Sequence, residues 1–305
     1  PPRSTLFPYT TLFRSPRAYA TGAQTAGDAE IWTPKNYGDK IMGKVSLRTA
    51  LVKSLNLSTI GLCEELKPKQ VIVYSRRFGI TADMMENLTT CLGSLSTTLQ
   101  EMVTAYGVFA NQGRLVKPLY ILRVEDQAGN ILEYNDPEFK QVTSEETAFL
   151  LSNVLQDVVQ RGTGRRARAL GRPSAGKTGT TNDSVDAWYI GYIPQLLTGV
   201  YVGFDKPRRM GSSETGSRAA APIWINFMKN AVANLPTEQF RQPPGITTVK
   251  IHKSGRRAIP CDNAKEINEE HYKSGTEPVL DLSHSGRCVL AETEKIEMEE
   301  SEPEL

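Results

Sequence analysis

Ala175-Gly176-Lys177-Thr178-Gly179-Thr180-Thr181 is a run of small and hydroxyl-bearing residues around one lysine, and the residues after it decide how it folds. Two alternating apolar stretches follow at once, Asp186 to Ile193 and Leu196 to Phe204, with Pro194-Gln195 between them as a turn. The lysine therefore opens a three-stranded antiparallel meander. Its own strand has no large side chain to obstruct it, so a substrate backbone can lie along that edge. Gly179 in particular leaves room for close approach.

The flanking segments have a different texture. From residue 43 to about 113 the pattern is helical: Ser46 precedes a short helix over Leu47 to Lys53, Pro68 opens a run to Phe78, and a third run goes from Thr97 to Asn111 and stops at Gly113. A hairpin over Tyr120–Val124 and Ile131–Tyr134 turns at Ala128-Gly129-Asn130. Thr143-Ser144-Glu145-Glu146 has capping-box spacing, and Leu151, Val154, Leu155, Val158 and Val159 share one helical face before Gly162 ends it. Beyond the meander, Pro222 opens an apolar helix through Ala233, and a small hairpin is expected around Lys253-Ser254-Gly255. The class is α+β: an antiparallel sheet flanked by helices, with a helical subdomain.

Length and composition fit one large domain with an appendage. The chain has 305 residues, 39% hydrophobic and 23% charged, and a net charge of +2, which gives no argument for a nucleic-acid partner. Five arginines between Arg161 and Arg172, without an acid among them, read as a solvated basic loop. Cys63, Cys91, Cys261 and Cys288 have neither zinc-site spacing nor the density of a disulfide scaffold, so they leave the redox compartment open. His252, His271 and His284 show no metal or triad spacing and read as surface residues; neither a metal nor a cofactor is expected. No apolar run approaches the ~18 residues of a membrane span, and no signal peptide is recognisable.

The main domain is assigned to residues 17–235 and a C-terminal extension to 236–291. Residues 1–16 repeat a short unit, Ser4-Thr5-Leu6-Phe7 and Thr11-Leu12-Phe13, and are set apart as a foreign or unstructured segment. Residues 292–305 carry seven glutamates against one lysine and are expected to be disordered.

Ser54-Leu55-Asn56 lies where one short helix ends and another begins at about Leu57, so its two polar side chains can face one cleft. Alone it is a common tripeptide. Paired with Lys177-Thr178-Gly179 on a strand 120 residues later it gains weight, because Ser-x-Asn and Lys-Thr-Gly belong to one motif set.

With these motifs the sequence resembles the penicillin-binding proteins, in particular the transpeptidase domain of the bifunctional class A type. Ala105-Tyr106-Gly107-Val108-Phe109-Ala110-Asn111-Gln112-Gly113, Gly162-Thr163-Gly164, Asp186-Ala187-Trp188-Tyr189-Ile190-Gly191-Tyr192 and Ala221-Pro222-Ile223-Trp224 are similar to that family too. The resemblance runs from about residue 43 to 235, and Gly275-Thr276-Glu277-Pro278 resembles the family's C-terminal extension. It implies the penicillin-binding fold and acyl transfer on the D-Ala-D-Ala end of peptidoglycan stem peptides, as a serine-type transpeptidase or carboxypeptidase, with β-lactams acylating the same site. It also implies a membrane-anchored parent on the periplasmic face of the cell envelope, carrying a glycosyltransferase as well.

The implied roles follow from what acyl transfer needs. Lys177 supplies positive charge near the substrate carboxylate, Ser54 relays a proton, and Asn56 holds the substrate's peptide group. The hydroxyls of Thr178 and Thr180 bind the carboxylate, the Thr180 N–H is an oxyanion donor, and Gly179 admits the substrate backbone. The family's nucleophile, the serine of Ser-x-x-Lys, has no counterpart before Ser54. The one such match, Ser174-Ala175-Gly176-Lys177, shares its lysine with the strand motif, and residues i and i+3 point to opposite faces of a strand. This polypeptide is therefore expected neither to cross-link nor to be labelled by penicillin.

Two other readings stand beside this one. Gly171-Arg172-Pro173-Ser174-Ala175-Gly176-Lys177-Thr178 matches the phosphate-loop pattern, which requires a helix to start after the lysine. The chain could also be a noncatalytic binding module that keeps the cleft without a nucleophile.

Overall fold

The computed structural model describes residues 19–20, 31–43, 45–181, 184–211 and 213–280. The segments 1–16 and 292–305, as well as His284 and Cys288, lie outside the described residues. The chain divides into two compact units at Pro243/Pro244.

In the larger unit, β1 (Tyr19–Ala20) pairs antiparallel with β2 (Ile31–Trp32). Four helices follow: α1 (Leu47–Lys53), α2 (Asn56–Leu66), α3 (Pro68–Arg77) and α4 (Leu99–Ala110). Their starts obey local chemistry. Ser46 Oγ accepts from Thr49 N at 3.1 Å to cap α1, and Pro68 occupies the first turn of α3, where no intrahelical N–H is needed. Thr98 and Glu101 form a reciprocal capping box on α4. Hydrogen bonds to Glu101, from the Thr81 hydroxyl first and then from the Thr98 and Thr81 backbone, hold its carboxyl down at about 2.

Two small ribbons come next. β3 (Arg114–Val116) pairs with β6 (Phe139–Gln141), and between them β4 (Arg123–Glu125) pairs with β5 (Ile131–Tyr134) as the expected hairpin. Helix α5 (Glu145–Arg161) then starts one residue later than the capping-box spacing implied. Its cap is Ser144, which accepts from Thr147 N at 3.3 Å, because Thr143 still belongs to the turn that closes on Gly113.

The central sheet is β7 (Ala175–Thr180), β8 (Ala187–Ile193) and β9 (Leu196–Val202), in the order β7-β8-β9 and antiparallel throughout. Strand β8 is nearly all apolar because both its faces are covered, and alternation sorts its side chains. Tyr189 and Ile193 join Val159, Leu170, Trp224, Ile225 and Met228 in one core, packed under α6 (Ala221–Ala231) and a 3₁₀ turn at Arg165–Leu170. Tyr192 points the other way, into a core with Val52, Leu155, Val158 and Ala175 that α4 and α5 border through Tyr106, Phe109 and Leu151. The result is a sheet with helices on both faces beside a helical subdomain.

Residues 236–243 pack with this unit and not with the extension to which the sequence assigned them. Arg172 and Gln195 donate to Pro236 O at 3.0 and 2.9 Å, and Phe240 stacks edge-on against Tyr192 at 5.8 Å. Arg172 thereby departs from the solvated basic loop, whereas Arg165, Arg166 and Arg168 are exposed.

In the smaller unit, β10 (Ile246–His252) pairs antiparallel with β11 (Ile267–Lys273). The expected turn is present, with His252 N donating to Arg256 O at 2.9 Å, but the chain after it contributes only the bridge Ile251–Arg257. The ladder partner lies further on because Val249 and Ile251 bury against Tyr272. His252 and His271 are half-buried instead of exposed: His252 bonds Ser254 and Glu266, and His271 bonds Thr248.

Cys63 and Cys91 form a disulfide, with Cα atoms 6.3 Å apart and a separation of 28 positions in sequence. It joins α2 to a 3₁₀ turn at Thr90–Leu92, a pairing that spacing does not reveal. Among the described residues no helix is long and apolar enough to cross a membrane, and no group of acids, cysteines and histidines is arranged to hold a metal.

One ion pair fixes α1 on α5. Arg48, 8% exposed, donates to Asp157 Oδ2 and Asn153 Oδ1, each at 2.7 Å, and Asp157 also pairs with Arg161. Removing the guanidinium leaves Asp157 with Arg161 as its ion-pair partner and takes a donor from Asn153 Oδ1, so Arg48→Ala is expected to lower stability by about 1–3 kcal/mol. A urea midpoint that falls at constant slope checks it, and an unchanged midpoint refutes it.

Candidate active site

Ser54 ends α1 in the left-handed conformation, φ 57 and ψ 53, where glycine is the usual residue. Its backbone N–H closes the helix on Leu51 O at 3.1 Å and Leu55 N bonds Ala50 O at 2.9 Å, so the serine is held at a sharp corner. A non-glycine residue there carries local strain, which is a mark of sites where the side chain matters. That side chain meets the central sheet: Lys177 Nζ donates to Ser54 Oγ at 2.8 Å, across 123 residues of sequence.

Lys177 Nζ also donates to Thr178 O at 2.9 Å. The residue keeps some surface, but its ammonium is deep in the protein, and this burial pushes it down to about 8. Two of the three ammonium protons are thus committed, and one remains for a ligand.

Strand β7 is the edge of the sheet. Thr181 N donates to Asp186 O at 3.1 Å, so by the alternation of an antiparallel ladder the N–H groups of Thr180 and Thr178 face away from β8, toward the open edge. That geometry suits an N–H donor to a ligand oxygen.

The two threonine hydroxyls are engaged differently. Thr178 Oγ1 donates to Thr163 Oγ1 at 2.7 Å, and Thr180 Oγ1 accepts from Gly216 N at 3.0 Å. Gly179 lies opposite Trp188, and a Cβ there would fall 3.1 Å from Trp188 Cβ. The glycine thus relieves the sheet itself, in addition to any room it leaves a ligand.

Asn56 is the first residue of α2. Its Nδ2 donates to Lys35 O at 2.8 Å, which uses one of the two N–H bonds of the amide and leaves the other and Oδ1 for a ligand. The adjoining Asn36 supplies the cap that Leu55 lacks, accepting from Leu57 N at 3.1 Å and closing its own turn on Lys40 O at 2.8 Å. Sequence reasoning missed Lys35, Asn36, Arg48 and Thr163. The asparagine after Pro34-Lys35 was the available signal for the second of these.

Thr163 sits in Gly162-Thr163-Gly164, which closes α5. Thr163 N donates to Val52 O at 3.3 Å, and a Cβ on Gly162 would come within 2.4 Å of the same carbonyl. Only glycine lets α1 and α5 approach so closely, and this approach brings Ser54 over Lys177.

The phosphate-loop reading does not survive. Lys177 and Thr178 lie inside strand β7, so the helix that a phosphate loop needs does not start after the lysine. Ser174 is 1% exposed, and its hydroxyl has no hydrogen-bond partner.

The site is thus a lysine on the edge strand of a sheet between helices, bonded to the serine of a helix corner. Residues 4–229 match the penicillin binding protein transpeptidase domain, and the chain belongs to that family. It is 37% identical over 254 residues to penicillin-binding protein 1A of Aquifex aeolicus, which covers 83% of this chain and 35% of that protein. To penicillin-binding protein 1A of Pseudomonas aeruginosa it is 34% identical over 284 residues, 76% of this chain and 34% of that one. It therefore spans about a third of the length of these curated relatives. The crystal structure of penicillin-binding protein 1A from Haemophilus influenzae superposes with a TM-score of 0.80 at 28% identity, covering 90% of this chain and 46% of that one. PonA1 of Mycobacterium tuberculosis, solved in complex with penicillin V, shares the fold at a TM-score of 0.66 and 23% identity.

Proposed function

We propose that this chain is the part of a peptidoglycan D,D-transpeptidase that binds the acyl donor and moves its protons, with β-lactams as ligands of the same groove. The observation that carries the reading is the 2.8 Å bond from Lys177 Nζ to Ser54 Oγ beside an open strand edge. Acyl transfer from D-Ala-D-Ala needs a cation for the terminal carboxylate, donors for the oxyanion and a path for the proton to the leaving amine. Lys177 has one ammonium proton left for a carboxylate. Thr180 N–H faces the edge where a scissile carbonyl would lie. Ser54 accepts from Lys177 and keeps its own hydroxyl proton to pass on.

The nucleophile belongs to sequence outside these residues, since Ser174 is buried and Lys177 is committed to Ser54. The intact enzyme is proposed to be membrane-anchored, with a glycosyltransferase as its second activity, and to face the extracytoplasmic side. The Cys63–Cys91 disulfide supports that side, because such bonds form and persist in oxidising compartments.

Fluorescent penicillin tests the reading. The full-length protein is expected to be labelled covalently and this 305-residue chain is not. Labelling of this chain would place the nucleophile within it, and an unlabelled full-length protein would end the transpeptidase reading.

A further inference from the structure

Between β9 and α6 the chain makes a π-helical turn, Gly216–Ala220, that runs directly into α6. Its first residue lies over the seam between β7 and β8. Gly216 is buried, and a Cβ there would fall 2.3 Å from Trp188 O and 2.5 Å from Gly179 O, both backbone atoms of a paired position. Glycine is required here for close approach. What the approach achieves is one hydrogen bond, from Gly216 N to Thr180 Oγ1 at 3.0 Å.

That bond sets the direction of a proton. A hydroxyl oxygen that accepts from an N–H cannot aim its own hydrogen along the same line, so the Thr180 proton is turned away from the π turn. Thr180 is exposed at the end of the edge strand, so the proton is available to a ligand in the groove. Thr178 differs, because its hydroxyl donates to Thr163 Oγ1 at 2.7 Å and its proton is spent inside the protein. Of the two threonines in the lysine motif, only Thr180 is held as an outward donor.

We infer that Gly216 is a positioning residue: its backbone N–H orients the Thr180 hydroxyl as a donor, and so gives the groove its preference for a ligand carrying a carboxylate over one carrying a neutral group there. The inference rests on the transpeptidase reading and deepens it. The carboxylate end is the part of the ligand that Gly216 governs, although no atom of Gly216 touches it.

The test compares benzylpenicillin with its methyl ester as acylating agents of the full-length protein. Replacing Gly216 with glycolic acid exchanges the N–H for an oxygen without adding a side chain. It is expected to slow acylation by benzylpenicillin about tenfold and to leave the ester rate within about twofold. Thr180→Val should show the same selective loss, Thr180→Ser should restore the carboxylate preference, and the glycolate change added to Thr180→Val should cost nothing further. Equal losses with both ligands, or losses that multiply in the double variant, overturn the inference while the transpeptidase reading stands. No acylation of the unaltered protein by either compound overturns both.

Discussion

Lys177→Met in the full-length protein is expected to slow acylation by benzylpenicillin about 10²–10³-fold, while the variant folds at least as stably as the parent. The rate loss follows from the position of the ammonium, which reaches Ser54 Oγ at 2.8 Å and Thr178 O at 2.9 Å and has one proton left. Methionine fills the same volume with no charge and no donor. Lys177→Arg keeps the charge but cannot place it at one point between the two acceptors, so it should recover only part of the rate.

Stability moves the other way, because burial holds the ammonium at about 8 when 10.5 is its ordinary value. Since the folded-state value is the lower one, the unfolded chain binds a proton that the folded chain releases between about pH 8 and 10.5, and stability rises with pH across that window. Below pH 8 the desolvation penalty is present in full; by 10.5 it is gone. The rise is worth up to about 3 kcal/mol before solvent screening of this half-buried residue is discounted. Acylation should fall with its midpoint at about pH 8, where the ammonium of the folded protein loses its charge. Chemical denaturation and acylation rates measured from pH 7 to 11 check both directions. A methionine variant that acylates at the parent rate, or a parent whose stability is flat over that range, would remove Lys177 from the site.

What the sequence made legible and what it hid divide along a physical line. The meander after Lys177 was readable because side-chain alternation and a two-residue turn are local signals, and α5 was readable because its apolar face recurs at helical spacing. The start of α5 shifted by one residue because Ser and Thr stand next to each other, and only the turn at Gly113 decides which of them caps. Contacts made at a distance left no local trace. Asn36 caps a helix 21 residues away, Arg48 finds Asp157 after 109, and Cys63 finds Cys91 after 28. Asn56 shows the same limit from the functional side. Its residue type suits a substrate amide, and the bond it also makes to Lys35 O is one that nothing next to Asn56 in the sequence announces. Ser54 and Lys177 were found because their residue types occur together as a motif pair, whereas Thr163 and Gly216 act through a partner and look like a helix stop and a loop residue.

Trp224→Ala is expected to cost about 3–5 kcal/mol, and Trp224→Phe about 1–2. Trp224 is fully buried at the centre of the core under β8, with its ring edge-on to Tyr189 at a centroid distance of 5.1 Å. The indole N–H is shared between Gly191 O at 3.2 Å and Thr198 O at 3.1 Å, which belong to facing positions of β8 and β9. Gly191 has no side chain because a Cβ would come within 2.9 Å of the indole ring. Alanine removes the whole ring from this slot, and Gly191, Tyr189 and Met228 cannot all collapse into the space at once. Phenylalanine keeps most of the volume but leaves two inward carbonyls without their shared donor, so the smaller cost isolates the hydrogen bond. Because α6 continues from the π turn at Gly216, loosening Trp224 should also loosen the clamp on Thr180. Hydrogen exchange should therefore rise in residues 216–220 of the alanine variant more than in the phenylalanine variant. Equal midpoints for the two variants in urea, or exchange confined to α6, would show that the indole fills space without tying the helix to the sheet.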